Sequence, residues 1–525
     1  MKESNNFHKA SLLPQNDESN ISSYSSFLLE NSEKEAIKNK ISSIEAENLR
    51  FTKHSPLVTL LIMSIGPLSN LVSVLFETLN MYLISKKYNN DENSHAVEII
   101  GFSSQFQNLY PLIGNFFGQC FITQVSSLIG SGKREKAEQI TADLFKITFF
   151  VSLLYGLILY FLIKPFLRFV GTPEDIMEEN YRFNLFLLFF IPFNNLFSLS
   201  CTFLQSIGNS ILLAIIVITS KIIQSAVLSP FFLFVCNVST TYMKLSNCVV
   251  ETIFSLLIIL FVFIGRFSLK PKFSFLCTLK VSKDTLKSLV YPLPYILLFI
   301  GNCFAPMIIL KCLTSNNDLE NINQAIGGVF AVFNQINSIN QALPSSIVVA
   351  FLASGNHSFG SGNIKRLKKL LFWTMVISLT TGLLFSFSVI AFRNQIAMWF
   401  IKGELELKIA SKMLPIPFYT SFFLGFGLAV YSILLIIKKP ILSMIPFAAQ
   451  FLILCIGSEI FKTIFKDDFI KIFHVYNCAD ILCLIIYISE LIYAINFIDK
   501  TESIDNQLTD NTIKSSDQDK NRINV

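Results

Sequence analysis

The chain has little charge. Asp, Glu, Lys and Arg make up 15% of its 525 residues, against about a quarter in an ordinary soluble domain. With 52% hydrophobic residues and a mean hydropathy of +0.55, water is not its main solvent. The chain has five histidines, and His8, His54, His95, His357 and His474 all fall in tails, loops or span ends. No histidine therefore sits inside an apolar run to act as a general base, which argues against a membrane-embedded enzyme such as an acyltransferase. The ten cysteines form no CxxC and no Cys/His cluster, so neither a disulfide framework nor a metal site is expected. No catalytic residue, metal ligand or cofactor is assigned. The N-terminus stays polar to about Lys53 and lacks the short apolar core of a cleavable signal, so the first span is expected to direct insertion. The net charge of +6 comes with positive residues beside apolar runs, which membrane topology explains without nucleic acid.

What the sequence does contain is a succession of long apolar runs. A helix needs about 20 mainly apolar residues to cross a bilayer. On that ruler, spans fall near 57–84, 99–128, 140–162, 181–203, 211–235, 245–264, 289–310, 322–352, 370–392, 413–437, 441–464 and 475–497. The predicted fold is an all-α polytopic membrane protein of about twelve transmembrane helices. A polar tail (1–56) precedes a six-helix lobe (57–264), a basic linker (265–288), a second six-helix lobe (289–498) and a polar tail (499–525), with both tails expected to be disordered. Lys133-Arg134-Glu135-Lys136, the linker with five lysines and one arginine, Lys365-Arg366-Leu367-Lys368-Lys369 and Lys438-Lys439 share one side. The positive-inside rule makes that side cytoplasmic and, with an even span count, puts both termini there, in a plasma or internal membrane.

The chain repeats itself at an offset of about 230 residues. Ser126-Ser127-Leu128-Ile129-Gly130-Ser131-Gly132-Lys133 recurs as His357-Ser358-Phe359-Gly360-Ser361-Gly362-Asn363. Gly171-Thr172-Pro173-Glu174 finds a counterpart in Gly403-Glu404-Leu405-Glu406, and Asn209-Ser210-Ile211-Leu212 in Lys439-Pro440-Ile441-Leu442. Three landmarks in one order at one offset argue for duplication. Two parallel six-span halves with a substrate site between them are a recurrent transporter plan.

These residues resemble the multidrug and toxic compound extrusion (MATE) family of antiporters over most of the chain from about Leu57 to Phe497. The similarity rests on the Ser126–Lys133 stretch followed by Ala137, on Phe203-Leu204-Gln205-Ser206-Ile207-Gly208-Asn209, and on Leu228-Ser229-Pro230. The resemblance implies a V-shaped, two-lobed bundle of twelve helices that exports organic cations or other amphiphiles in exchange for protons or sodium. It places Asn80 where many members carry an acid near the end of the first span, and Ser225 and Ser229 on the polar face of the fifth. The seventh span, from Pro292 to Cys303, lacks the glutamate that many eukaryotic members have.

Helical phase supplies the remaining candidates. Asn70, Ser73, Glu77 and Asn80 share one face of the first span, and Gln105, Asn108, Asn115 and Gln119 one face of the second. Asn194, Ser198, Cys201 and Gln205 do so in the fourth, and Asn334, Asn337, Ser338, Gln341 and Ser345 in the eighth. Gln105 and Gln335 correspond at the repeat offset. With Gln224 and Asn302 these side chains are expected to line a polar cleft, although interhelical hydrogen bonding alone would also place such residues there. Glu77 is the leading candidate for loading a cation, because a carboxylate several residues inside a span is costly unless it has work to do. Lys221, mid-way along the fifth span, needs a counter-charge. Glu77 or Glu251 could supply it, while Glu459, Asp480 and Glu490 are expected to be structural. The expected partners are a small amphiphilic substrate and the bilayer, with the chain a monomer. The rival readings are a lipid-linked oligosaccharide flippase and an uncoupled homologue acting as a receptor.

Overall fold

The computed structural model describes residues 45–88, 103, 106–170, 172, 174–237, 240–278, 280–314, 320–401, 404–466 and 468–523. It divides into two units, 1–49 and 50–525; within the first, residues 45–49 are helical. The second unit holds the spans. We number these α1 (Pro56–Tyr88), α2 (Leu112–Gly130), α3 (Arg134–Val170), α4 (Ile176–Leu188 and Ile191–Ser206, bent by 55°), α5 (Ser210–Val235), α6 (Thr240–Ile264), α7 (Leu293–Thr314), α8 (Glu320–Gly360), α9 (Ile364–Ala391), α10 (Glu404–Ile436), α11 (Leu442–Ile464) and α12 (His474–Ile523). Eleven of them are long and apolar enough to cross a membrane, and the bent pair in α4 makes the twelfth. No strand occurs among the described residues. The polar stretch from 499 onward, expected to be disordered, instead continues α12 as helix to Ile523. No Gly or Pro lies between His474 and Ile523 to stop it, and Lys368 of α9 holds Asp499 at 2.6 Å.

The halves are built alike at the level of the backbone. At the end bearing the basic loops, α2, α4, α6, α8 and α10 each finish in a Schellman turn, in which a left-handed residue closes the last carbonyls. In α2 Gly132 N–H donates to Ile129 O at 3.0 Å and Lys133 N–H to Leu128 O at 2.9 Å; in α8 Gly362 and Asn363 repeat this at 3.1 and 2.8 Å. The φ values are +72° at Gly132, +78° at Gly208, +84° at Gly265, +71° at Gly362 and +64° at Lys438. Gly132 and Gly362 lie 230 residues apart, and so do Gly208 and Lys438. Lys438 is the single non-glycine in this set, a choice that costs about 1 kcal/mol or more.

The two halves meet at this same end. α8 packs on both α1 and α2, and α9 touches α1. A Cβ on Gly130 would stand 2.2 Å from His357 O, and one on Gly360 would stand 2.1 Å from Ser127 O. Since Ser127 and His357 are themselves repeat partners, this is one contact made twice around a pseudo-two-fold axis. Beside it Phe51 stacks on His357 with ring centroids 4.4 Å apart. Arg366 of α9 donates to the carbonyls of Phe51 (2.5 Å) and His54 (3.1 Å) and to Thr59 Oγ1 (2.8 Å).

The basic linker is clamped to the first half by a buried pair on α3 that periodicity does not single out. Lys146 Nζ donates to the carbonyls of Phe275, Thr278 and Lys280 at 2.8–3.1 Å and lies 3.1 Å from Asp143. Asp143 Oδ2 accepts from Ser282 N–H and Thr285 Oγ1. Asp143 and Lys146 side chains are 3% and 5% exposed, so the charges are tolerable only because the ammonium and both carboxylate oxygens have partners.

Replacing Gly130 or Gly360 by Ala is expected to lower stability by about 1–3 kcal/mol each, because backbone rather than a flexible side chain blocks the methyl. Gly132→Ala meets nothing within 4 Å and should cost only its backbone strain, about 1 kcal/mol. Thermal melts of the three variants in one detergent measure the difference.

Candidate functional site

Pro67 shapes the first half from inside α1. It has no N–H to give the Met63 carbonyl one turn back, and that carbonyl instead accepts from Gln205 Nε2 at 2.9 Å and Ser210 Oγ at 2.6 Å. Gly66 lets Ser210 come this close, its N–H donating to Ser210 Oγ at 2.9 Å. Gln205 is therefore spent on closing α1 against α4 and α5, with its side chain buried rather than turned to a cleft.

Further along, α5 changes from α to π geometry at Ile222–Leu228 and again at Phe231–Val235, on either side of Ser229-Pro230. Widened turns of this kind recur where a helix presents functional groups. Lys221 is the last α-helical residue before the change. Its ammonium lies 3.1 Å from Glu251 Oε1 of α6 and 3.2 Å from Gln224 Oε1. The other Glu251 oxygen accepts from Asn194 Nδ2 of α4 at 2.6 Å, and Gln224 Nε2 approaches Glu251 Oε1 at 3.5 Å. Lys221 and Glu251 side chains are 16% and 12% exposed. Of the two partners weighed for Lys221, the structure selects Glu251, because the lysine and that glutamate lie on facing turns of neighbouring helices. Asn80 Nδ2 donates to Ser225 Oγ at 3.0 Å while its Oδ1 is buried without a hydrogen-bond partner. Ser229 Oγ turns back to Gln224 O at 2.8 Å.

Glu77 stands apart from this bonded set. It is exposed, within electrostatic reach of Lys221, and in no ion pair among the described residues. With Lys221 and Glu251 cancelling each other, Glu77 is the surplus carboxylate of the cluster. Asn70, Asn108 and Asn302 are also exposed, and Ser73, Asn334, Gln335 and Gln341 are half-buried. Asn115 of α2 is half-buried. Gln105 lies outside the described residues. Gly301 of α7, beside Asn302, and Gly327 and Gly328 of α8 border open space, since a Cβ at any of them meets nothing within 4 Å.

The second half arranges its acids differently. Thr420 Oγ1 lies 2.8 Å from Asp480 Oδ2 and 2.9 Å from Asn477 Oδ1, and Asn477 Nδ2 reaches the exposed His474 ring at 3.2 Å. Glu459 accepts from Cys312 Sγ at 3.4 Å. Glu490 is 7% exposed, with neither carboxylate oxygen hydrogen-bonded.

Comparison with known proteins now decides the family. The MatE family model matches residues 68–231 and again 324–461, one stretch in each half. The chain belongs to the MatE family. Its fold matches a MATE transporter crystallised with MaL6 at a TM-score of 0.76, with 13% identity over 87% of this chain and 99% of that one. It also matches a MOP-superfamily transporter from Pyrococcus furiosus at 0.75, with 14% identity over 86% and 98%. In sequence it is 22% identical over 342 residues to the probable multidrug resistance protein YoeA of Bacillus subtilis, covering 63% of this chain and 72% of that protein. The two-lobed twelve-helix bundle is thus the architecture of this MatE chain.

Lys221→Met leaves Glu251 in the bundle without its cation and should destabilise the protein by about 3–5 kcal/mol. Lys221→Met combined with Glu251→Leu should cost markedly less than the two single changes added together. A double-mutant cycle of thermal stability in detergent checks this; additive losses would mean that the two side chains do not interact.

Proposed function

We propose that this MatE chain is a secondary transporter that exports amphiphilic organic compounds in exchange for protons or sodium, by alternating access between its halves. The observation that carries the reading is the surplus carboxylate. Inside the first half, Lys221, Asn194 and Gln224 all bond to Glu251 or to one another through Glu251, while Glu77 is exposed and in no ion pair among the described residues. A fixed neutral pair keeps the site polar, and the free acid exchanges a cation. Family membership and the name of the YoeA relative favour drug-like substrates.

The basic-loop end is read as cytoplasmic, with both termini on that side. On this reading the contact between the halves lies on the cytoplasmic side. The flippase alternative needs cationic side chains free to hold a pyrophosphate, whereas Lys221 is committed to Glu251.

In proteoliposomes loaded with a lipophilic cationic dye, an imposed proton or sodium gradient should drive dye movement by the wild type. Glu77→Gln should reduce the driven rate by roughly 100-fold or more, in the range found when a proton-transfer group is removed, while dye binding persists. Equal driven transport by Glu77→Gln would refute the assignment. Driven transport by neither protein under either gradient would favour the receptor-like reading.

A further inference from the structure

Five helix ends at the closed face use the same turn, and four of them place glycine at its left-handed position. The fifth places Lys438. Its repeat partner Gly208, at the end of α4, shows that the turn itself asks for nothing more than glycine. A left-handed lysine is thus a departure that local structure does not explain, and such outliers point to a role elsewhere. The side chain supplies one. Lys438 Nζ donates to the carbonyl of Thr123 at 3.0 Å and approaches Asn356 Oδ1 at 3.4 Å. It stands over the Tyr291 ring, 5.0 Å from the centroid. Thr123 belongs to α2, in its π-helical turn Phe121–Val125, whereas Lys438 ends α10 in the other half.

From this geometry we infer that Lys438 is a positioning residue for the transport cycle, a releasable tie whose amino group crosses the seam to hold α10 of the second half against the π turn of α2 while this face is closed. At the repeat-related position the first half offers no return tie, because Gly208 has no side chain. Loss of the Lys438 tie therefore weakens the seam without disturbing either bundle. The other seam contacts are the glycine approaches, the Phe51–His357 stack and the Arg366 bonds to Phe51, His54 and Thr59.

The groups around Lys438 are the Thr123 carbonyl from α2, Asn356 from α8, the Tyr291 phenol ahead of α7 and its neighbour Lys439, and no carboxylate lies in ion-pair range among the described residues.

Spin labels at Ser131→Cys and Ser361→Cys, both exposed positions on the two basic-end turns, report the seam as a distance distribution in nanodiscs. The exposed Cys236 and Cys478 are first replaced by Ser. K438G should melt at the wild-type temperature or above, since glycine suits the turn, yet raise the long-distance population roughly tenfold, as expected for losing one hydrogen bond. K438M, which keeps the strained backbone and loses the donor, should open the seam to the same extent. Wild-type distances in either variant would overturn the proposal. The readout needs no substrate, so it stands or falls separately from the efflux assay.

Discussion

Two backbone carbonyls occupy the space where side chains of Gly130 and Gly360 would be, and the arrangement of the molecule follows from that contact. At 2.2 and 2.1 Å from an added Cβ, the α2 and α8 ends approach as closely as helices can, and only residues without a side chain permit it. The contact is reciprocal because the chain is duplicated: the residue met by one glycine is the repeat partner of the residue met by the other. Around this point the stacked Phe51 and His357, the Arg366 bonds and the Lys438 tie accumulate. Hydrogen bonds between the halves, from Arg366 and Lys438, gather at this end.

Within this symmetric frame the charge is placed asymmetrically. Counting 230 residues on from Asn194, Lys221, Gln224 and Glu251 reaches Leu424, Phe451, Leu454 and Ile481. A buried ion pair gives little net stability over well-packed apolar residues, so the second half shows what these positions hold when packing alone decides. The first half keeps a lysine, a glutamate and two amides there, and its α5 adopts π geometry at the same place. The cluster is therefore best understood as chemistry added to one copy of a duplicated scaffold. The acids of the second half, Asp480 with one hydroxyl partner and Glu490 with none, follow a separate plan on α12.

Much of this was legible in the sequence. Apolar length located the spans, because a bilayer fixes helix length, and the Gly-Ser-Gly landmarks identified the repeat because Schellman turns favour glycine. The lysine on α5 was flagged as needing a partner. Gln205 was placed in a cleft because helical phase cannot separate a side chain facing water from one that caps a carbonyl freed by Pro67. The Asp143–Lys146 clamp went unnoticed because its acceptors are linker carbonyls, which carry no sequence signature. Lys438 read as one more topogenic lysine, since nothing in a sequence announces that a helix-ending lysine is left-handed and points across a seam.

The central claim is that the basic end closes and must open for transport. Phe51→Cys and His357→Cys place two thiols on the residues whose rings now stack at 4.4 Å, so a short reducible bis-methanethiosulfonate cross-linker should lock that end shut. The account predicts that gradient-driven dye transport stops on cross-linking and returns on reduction, with each single-cysteine protein unaffected by the same treatment. Undiminished turnover with the cross-link formed would contradict it.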